Sequence, residues 1–399
     1  MLNIHSKYSL KYGLENPEDI VDWAIDNGYT RLALTDINNT SGHIRFIQHA
    51  QDKDFNPVVG IDVRNEGVCC YVLLAQNNRG LHEMYSFLSY HLHHNLPFPS
   101  RPDYLPNCFI IFPFENAPKQ LLENEWMGIN TAEAKLLQVQ QHPLQKSKMV
   151  MLHSMTFHNK RAFNTHRLLR AIDQNTLLAK LDPKQQGQNT DRFLSRNALY
   201  KHYEHLPEVI RNTTKLLQKC QVHFSFGEDA EVRNIAYYTG SKASDKVLLR
   251  QLSFDGVKTR YKAMTNTIRE RIEREITIIE QKGYLSYFLI TWDIVHFAKK
   301  NGFFHVGRGS GANSIVAYLL HITNVDPLAL DLYFERFINL YRKNPPDFDI
   351  DFSWKDRDKV TQYIFQRFPN AALLGTYNTF QLKGAVRELG KVFGLPKEE

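Results

Sequence analysis

Apolar and polar positions along the amino-terminal half alternate between helical and strand periods. Pro17–Asn27 sets Ile20, Val21, Ala24 and Ile25 on one side of a helix. Arg31–Thr35, Pro57–Val63 and Cys69–Ala75 are short apolar runs, which predict strands. Apolar strands between amphipathic helices point to the α/β class, as a (β/α) barrel or a doubly wound sheet. Val209–Cys220 predicts a helix with Ile210, Leu216 and Leu217 in its stripe, and Ile268–Ile279 one with charges on one side. Residues 285–299 form a further helix rich in Phe, Ile, Trp and Val, where Tyr287 and Trp292 read as packing residues. Residues 182–192 are polar and marked by glycine and proline, hence a loop. His91, His93 and His94 fall in what reads as a polar loop.

A chain of 399 residues exceeds one ordinary core and suits two domains. The change of domain is expected between 222 and 240, giving 1–225 and 226–399.

The carboxyl-terminal half carries the densest chemistry. Residues 345–352 read Pro-Pro-Asp-Phe-Asp-Ile-Asp-Phe, so Asp347, Asp349 and Asp351 alternate with Phe348, Ile350 and Phe352. On a strand every carboxylate then lies on one face and every apolar side chain on the other. Like charges so close need a positive partner, and Mg²⁺ is a natural one because it takes oxygen ligands together with a substrate phosphate. A solvated acidic strand end is the competing reading.

Upstream lies Gly307-Arg308-Gly309-Ser310-Gly311-Ala312-Asn313-Ser314, followed by the apolar run Ile315–Leu320. This predicts a glycine turn feeding a helix, with backbone N–H groups open to phosphate oxygens. Ser310 can cap the helix and donate to a phosphate, and Arg308 offers a permanently charged fork. The spacing matches neither a Walker A loop nor a dinucleotide fingerprint. A phosphate cradle and a metal platform together make a nucleotidyl-transfer site.

Charge changes the picture modestly. The net charge of +7 is mild for a nucleic-acid protein, but Lys258, Arg260, Lys262, Arg269, Arg271 and Arg274 crowd one stretch. They predict either a surface attracting polyphosphate and DNA or, interleaved with Glu270, Glu273 and Glu275, a solvated helix face. No stretch reaches the length of a membrane span. Cys69, Cys70, Cys108 and Cys220 lack Cys-x-x-Cys spacing and read as reduced thiols of a cytoplasmic protein.

With these motifs in place, the chain resembles the bacterial replicative polymerases of family C, the DNA polymerase III alpha subunits. The resemblance runs through Glu280–Tyr284, Tyr287–Ile294, Gly307–Ser314, Phe334-Glu-Arg-Phe337, Pro346–Phe352, Gly375–Thr379 and Arg387–Gly390. It implies a beta-type nucleotidyltransferase palm with a small mixed sheet. Arg308, Gly309, Ser310 and Arg336 would contact the incoming triphosphate. Asp347 and Asp349 would be the metal ligands for two Mg²⁺ ions, with Asp351 a supporting catalytic carboxylate. Where family members commonly read Gly-Pro-Gly before the arginine, this chain has His305-Val306-Gly307, a change expected to loosen the approach.

The opening His5-Ser-Lys-Tyr-Ser9 resembles the PHP (polymerase and histidinol phosphatase) domain that precedes the palm. The metal motifs of that barrel are depleted here. Asn3-Ile4-His5 stands for His-x-His, Thr35-Asp36-Ile37 for Thr-Asp-His, Asp62 for a glutamate, and His153-Ser-Met-Thr156 for Asn-Asp-x-His. The expectation is a structural barrel without a trinuclear metal cluster or phosphoesterase activity, with His5 and Asp36 in capping or core hydrogen bonds.

The implied function of the parent protein is DNA-directed DNA synthesis on a primer-template from deoxynucleoside triphosphates. Its partners would include a sliding clamp and other replication or repair proteins, and no membrane. Depletion of the barrel motifs leans toward the shorter, error-prone branch. A third aspartate and the thumb would lie beyond residue 399, so this chain is expected to be an amino-terminal fragment inactive alone. A replication or repair scaffold and a metallophosphoesterase are the alternatives.

Overall fold

The computed structural model describes residues 1–139, 146–227, 230, 237–341 and 346–395. They form two compact units, one of residues 1–230 with 378–399, the other of residues 231–377. The expected domain change at 222–240 falls partly outside the described residues, at 228–229 and 231–236, as do Pro345 and residues 396–399.

In the first unit β1 (Asn3–Ile4) precedes a six-stranded sheet. Its order is β2 (Arg31–Leu34), β3 (Asn56–Asn65), β4 (Val68–Ala75), β5 (Cys108–Pro113), β6 (Glu125–Ile129) and β7 (Met149–Met151). The short β8 (Ser154–Met155) follows β7 and pairs in parallel with β1. The carbonyls of Met1 and Ile4 accept from the N–H groups of Ala33 and Thr35, tying β1 to β2 as well. The sheet therefore curls, with its two ends linked through β1.

Strict β/α alternation fails at one place. β4 runs antiparallel to both of its neighbours, β3 and β5, whereas the other neighbours run parallel. The turn between β3 and β4 is Glu66-Gly67, with φ of 48° and 87°. Two successive positive φ values make the primed turn that suits a hairpin, and glycine takes its half without strain.

The helices of this unit are α1 (Pro17–Asp26), α2 (His43–Asp52), α3 (Asn78–His93), α4 (Thr131–Val139), α5 (Lys160–Asp173), α6 (Arg196–His202) and α7 (Pro207–Gln218). Proline at the first position of α1 starts a helix that buries Ile20, Val21 and Ala24, while Ile25 turns outward. His91 and His93 do not lie in a loop. They occupy the last turn of α3, whose start is fixed by Asn77 accepting from Arg79 and Gly80. Cationic or polar ends of a helix resemble loop composition, which hid this one.

The second unit packs α8 (Lys242–Arg260), α9 (Asn266–Gln281) and α10 (Leu285–Lys300) with the short α11 (Ile315–Leu319) and α12 (Arg357–Arg367). Ile272, Ile276, Phe288, Leu289, Ile315, Val316, Phe334 and Phe337 form its core. The expected small mixed sheet is, among the described residues, an antiparallel pair, β9 (His305–Arg308) with β10 (Asp349–Phe352). α13 (Leu382–Phe393) packs on α5 of the first unit.

The crowded bases at the start of this unit are largely engaged. Lys258 pairs with Asp255, Arg271 with Glu275 and Arg274 with Glu335, while Arg260 donates to the carbonyls of Tyr318 and Thr323. No helix among the described residues is long and apolar enough to cross a membrane. Cys108 and Cys220 are buried, Cys69 and Cys70 half-buried, and all four are free thiols.

Candidate functional site: a glycine turn against an acidic strand

The ladder between β9 and β10 decides which distant residues meet. Its register sets Asp349 opposite Arg308, Ile350 opposite Gly307, Asp351 opposite Val306 and Phe352 opposite His305. The alternation read from the sequence holds: Asp347, Asp349 and Asp351 are exposed, and Phe348, Ile350 and Phe352 are partly buried. Asp347 lies just ahead of the paired strand, whose ladder starts at Asp349. Phe348 anchors that approach, its N–H donating to Tyr287 Oη at 3.0 Å and its ring stacking on Tyr287.

The segment His305-Val306-Gly307 is regular strand and is pinned, not loosened. Thr323 Oγ1 donates to the Gly307 carbonyl at 3.0 Å. A Cβ on Gly307 would stand 1.9 Å from the Ile322 carbonyl oxygen, so only glycine permits this approach.

After β9 the chain makes a 3-10 turn over Gly309–Asn313. Gly309 has φ of 74°, and a Cβ there would stand 2.7 Å from Asp349 Oδ2. The turn and the acidic strand are thus in direct apposition. The first N–H groups of such a turn have no partner within it and can face an anion.

The cap of the following helix differs from the sequence expectation. Ser314, not Ser310, caps α11, its hydroxyl accepting from Ala317 N–H at 3.1 Å. Nor is the helix N-terminus open to phosphate. The Glu275 carboxylate accepts from the N–H groups of Ile315 and Val316, at 3.1 and 3.2 Å. Any anion must therefore be held by the turn itself.

Arg308 Nε donates to Asp351 Oδ2 at 2.7 Å, and its Nη1 lies 3.5 Å from Asp349 Oδ2. Arg336 sits on the 3-10 turn Phe334–Arg336, exposed, on the segment adjoining the glycine turn. Phe337 and Phe348 both approach Gly311, which joins the Phe-Glu-Arg-Phe segment, the turn and the acidic strand in one packed junction. All seven residues picked from the sequence thus lie on three contiguous pieces of chain.

The donor set fits a divalent cation that completes its coordination with phosphate oxygens. Asp347 and Asp349 present hard, exposed oxygens, and Arg308 occupies Asp351. Among the described residues no three His, Cys, Asp or Glu side chains converge as a ready-made metal cage.

The barrel residues behave differently. Both oxygens of Asp36 are taken, by the Ser6 N–H, the Ser6 hydroxyl and the Ser9 hydroxyl, each at 2.7 Å. Burial raises the Asp36 carboxyl against those bonds. His5 Nε2 lies 2.9 Å from Asp62 Oδ2, and Arg64 Nη2 donates to the same oxygen at 2.7 Å. Burial would raise Asp62, yet Arg64 and His5 hold it well below the usual carboxylate range. A guanidinium already stands beside the carboxylate, and the Asp36 oxygens are occupied. The residues present do not fit a three-metal cluster. Sequence reading missed Arg64. The signal available was an arginine two positions after Asp62, on the same face of a strand otherwise apolar.

Comparison with known proteins adds an independent line. Residues 2–142 match the PHP domain family, and residues 247–399 match the family described as the bacterial DNA polymerase III alpha NTPase domain. Among similar proteins, the error-prone DNA polymerase of Symbiobacterium thermophilum is 29% identical, covering 100% of this chain and 41% of its own length. The DNA polymerase III subunit alpha of Borreliella burgdorferi is 27% identical over 100% of this chain and 39% of its own length. That of Ureaplasma parvum is 28% identical over 99% and 39%. The chain thus spans about two-fifths of the length of these relatives.

Proposed function

We propose that this chain, whose residues 2–142 and 247–399 match the PHP domain and the bacterial DNA polymerase III alpha NTPase domain families, belongs with the DNA polymerase III alpha subunits it is similar to and supplies the nucleotide-binding part of a DNA-directed DNA polymerase. The observation that carries the reading is the pairing of Asp349 with Arg308 across β9 and β10. Two segments some forty residues apart are thereby close enough to engage one polyphosphate.

In this reading residues 1–225 are a structural PHP-type barrel and residues 226–399 the first part of a palm. The N–H groups of Gly309 and Ser310, with the Arg308 and Arg336 side chains, hold the triphosphate of the incoming deoxynucleotide. Asp347 and Asp349 are the ligands for Mg²⁺, which when bound would activate the primer 3′-hydroxyl and neutralise the departing pyrophosphate. Asp351 acts through Arg308, fixing its guanidinium beside the turn. The remaining partners are primer-template DNA, a sliding clamp and other replication or repair proteins, in the cytoplasm. The engaged Asp36 and the Asp62–Arg64 pair weigh against phosphoesterase chemistry in the barrel.

The test is calorimetric binding of dATP with Mg²⁺ to this chain. Asp347→Asn and Asp349→Asn should each weaken it by about tenfold or more, in line with lost charge-assisted ligands. Equal affinity of both variants and the unaltered chain would refute the assignment.

A further inference from the structure

The glycine turn and the Phe-Glu-Arg-Phe segment lie about twenty residues apart in the chain, yet the proposed site needs both in register. One ion pair on α9 reaches the end of the turn and the chain just ahead of that segment. Glu275 is fully buried, on the stripe that also carries Ile272, Ile276 and Ile279. Its carboxylate accepts from the Ser314 hydroxyl at 2.8 Å and from the N–H groups of Ile315 and Val316. Arg271, one helical turn earlier, donates from Nε to Glu275 Oε1 at 2.7 Å. Its Nη2 donates to two carbonyls, that of Asn313 at 3.1 Å and that of Leu332 at 2.9 Å.

Asn313 ends the glycine turn, and Leu332 stands two residues before the segment carrying Arg336. We infer that Arg271 and Glu275 are positioning residues of the nucleotide site, a single brace that sets the glycine turn and the Arg336 segment at a common spacing. The inference rests on the triphosphate reading above and adds to it the residues that hold the cradle in shape.

The chemistry of the brace is specific. A buried carboxylate is stable only when its lone pairs are met, and here three donors of the 314–316 backbone and side chain, together with Arg271, meet them. Burial pushes the Glu275 carboxyl up, against the pull of Arg271 and the Ser314 hydroxyl. An arginine is required because only a planar fork can pair with the carboxylate and reach two carbonyls beyond it. Lysine, with one point charge, can keep the first contact but not the others. Glutamine keeps the shape of Glu275 but would turn an amide donor toward a backbone N–H or the guanidinium. On the outer side of the same helix Arg274 pairs with Glu335, a second and solvent-exposed tie to the Arg336 segment.

The experiment compares the unaltered chain with Arg271→Lys and Glu275→Gln by two readouts. One is amide hydrogen exchange of 309–316 and 332–338 without nucleotide. The other is the dissociation constant for dATP with Mg²⁺. The expected result is faster exchange in both segments together and roughly tenfold weaker dATP binding, a loss equivalent to about 1.4 kcal/mol. Arg274→Ala, which removes only the exposed tie, is expected to change binding less than threefold. Arg271→Lys retains the buried charge, so it remains informative if Glu275→Gln does not fold. Exchange rising in one segment alone, or dATP binding unchanged in a folded Arg271→Lys protein, would overturn the brace. Failure of the unaltered chain to bind dATP would instead sink the triphosphate reading, leaving the exchange of the two segments to judge the brace.

Discussion

Arg308 Nε and Asp351 Oδ2 stand 2.7 Å apart, with the same guanidinium 3.5 Å from Asp349. The acidic row therefore already has a cation beside it, one belonging to the chain. A permanent positive charge there opposes a divalent cation arriving alone but attracts a triphosphate that brings the cation with it. Arg308→Ala should then do two opposite things. Mg²⁺ or Mn²⁺ binding without nucleotide should tighten severalfold, while dATP binding should weaken about tenfold or more. Titration calorimetry on each ligand separately checks both, and a change of the same sign in the two would refute the arrangement.

Gly309 meets two constraints at once. Alanine there meets both a positive φ and a carboxylate oxygen 2.7 Å from its Cβ. A left-handed conformation costs a side-chain-bearing residue about 1–2 kcal/mol, and the contact with Asp349 adds to that. Gly309→Ala should abolish dATP binding with a melting profile of the first unit left unchanged. Retained binding would mean that the turn does not hold the phosphates.

The buried pair in the barrel makes a different prediction. Asp62 and Arg64 are joined at 2.7 Å, Asp62 fully buried and Arg64 nearly so. Losing one partner of such a pair strands the other charge and typically costs about 3–5 kcal/mol. Arg64→Met alone should be strongly destabilising in urea unfolding, whereas Arg64→Met with Asp62→Asn should recover most of the loss. If the double variant is no better than the single, the pairing is not what holds this part of the barrel.

Acid should unfold the first unit earlier than its carboxylates alone would suggest. Burial lowers His43, His153 and His166 to about 4, against hydrogen bonds to the carbonyls of Gly60, Arg192 and Tyr12. Unfolded, each titrates near about 6.5, so the unfolded chain takes up protons first as pH falls. Stability from keeping them neutral is complete above about 6.5 and is lost between about 6.5 and 4. Across that window each ring gives up at most about 1.4 kcal/mol for every tenfold rise in proton concentration. Asp62, held low by Arg64 and His5 despite burial, extends the loss below about 3.9. Melting temperature followed from pH 7 to pH 4 by circular dichroism should fall steadily, and His43→Gln should flatten the slope. A flat profile would show that these rings titrate normally.

The sequence was most legible where one periodicity governed many residues. Alternation through Asp347–Phe352 predicted the exposed acids and partly buried aromatics, and the strand and helix boundaries of β2, β3, β4, α9 and α10 fall close to where the apolar patterns end. It was least legible where a polar residue occupies an apolar position. Glu275 lies in register with Ile272 and Ile279, so its place on the stripe was visible. Its role was not, because the donors it meets at 314–316 are about forty residues away. The same reason moved the helix cap from Ser310 to Ser314: the turn tightens into a 3-10 segment first, a choice set by the packing of Gly311 against Phe348 and Phe337. The hairpin at Glu66-Gly67 escaped because a continuous apolar run on either side fits a parallel strand equally well.

Arg64 has a consequence for the barrel as a whole. Its central negative charge is answered by a side chain that is synthesised with the protein and never dissociates. Holding that carboxylate's charge therefore asks for no bound cation, because the chain itself brings the neutralising group.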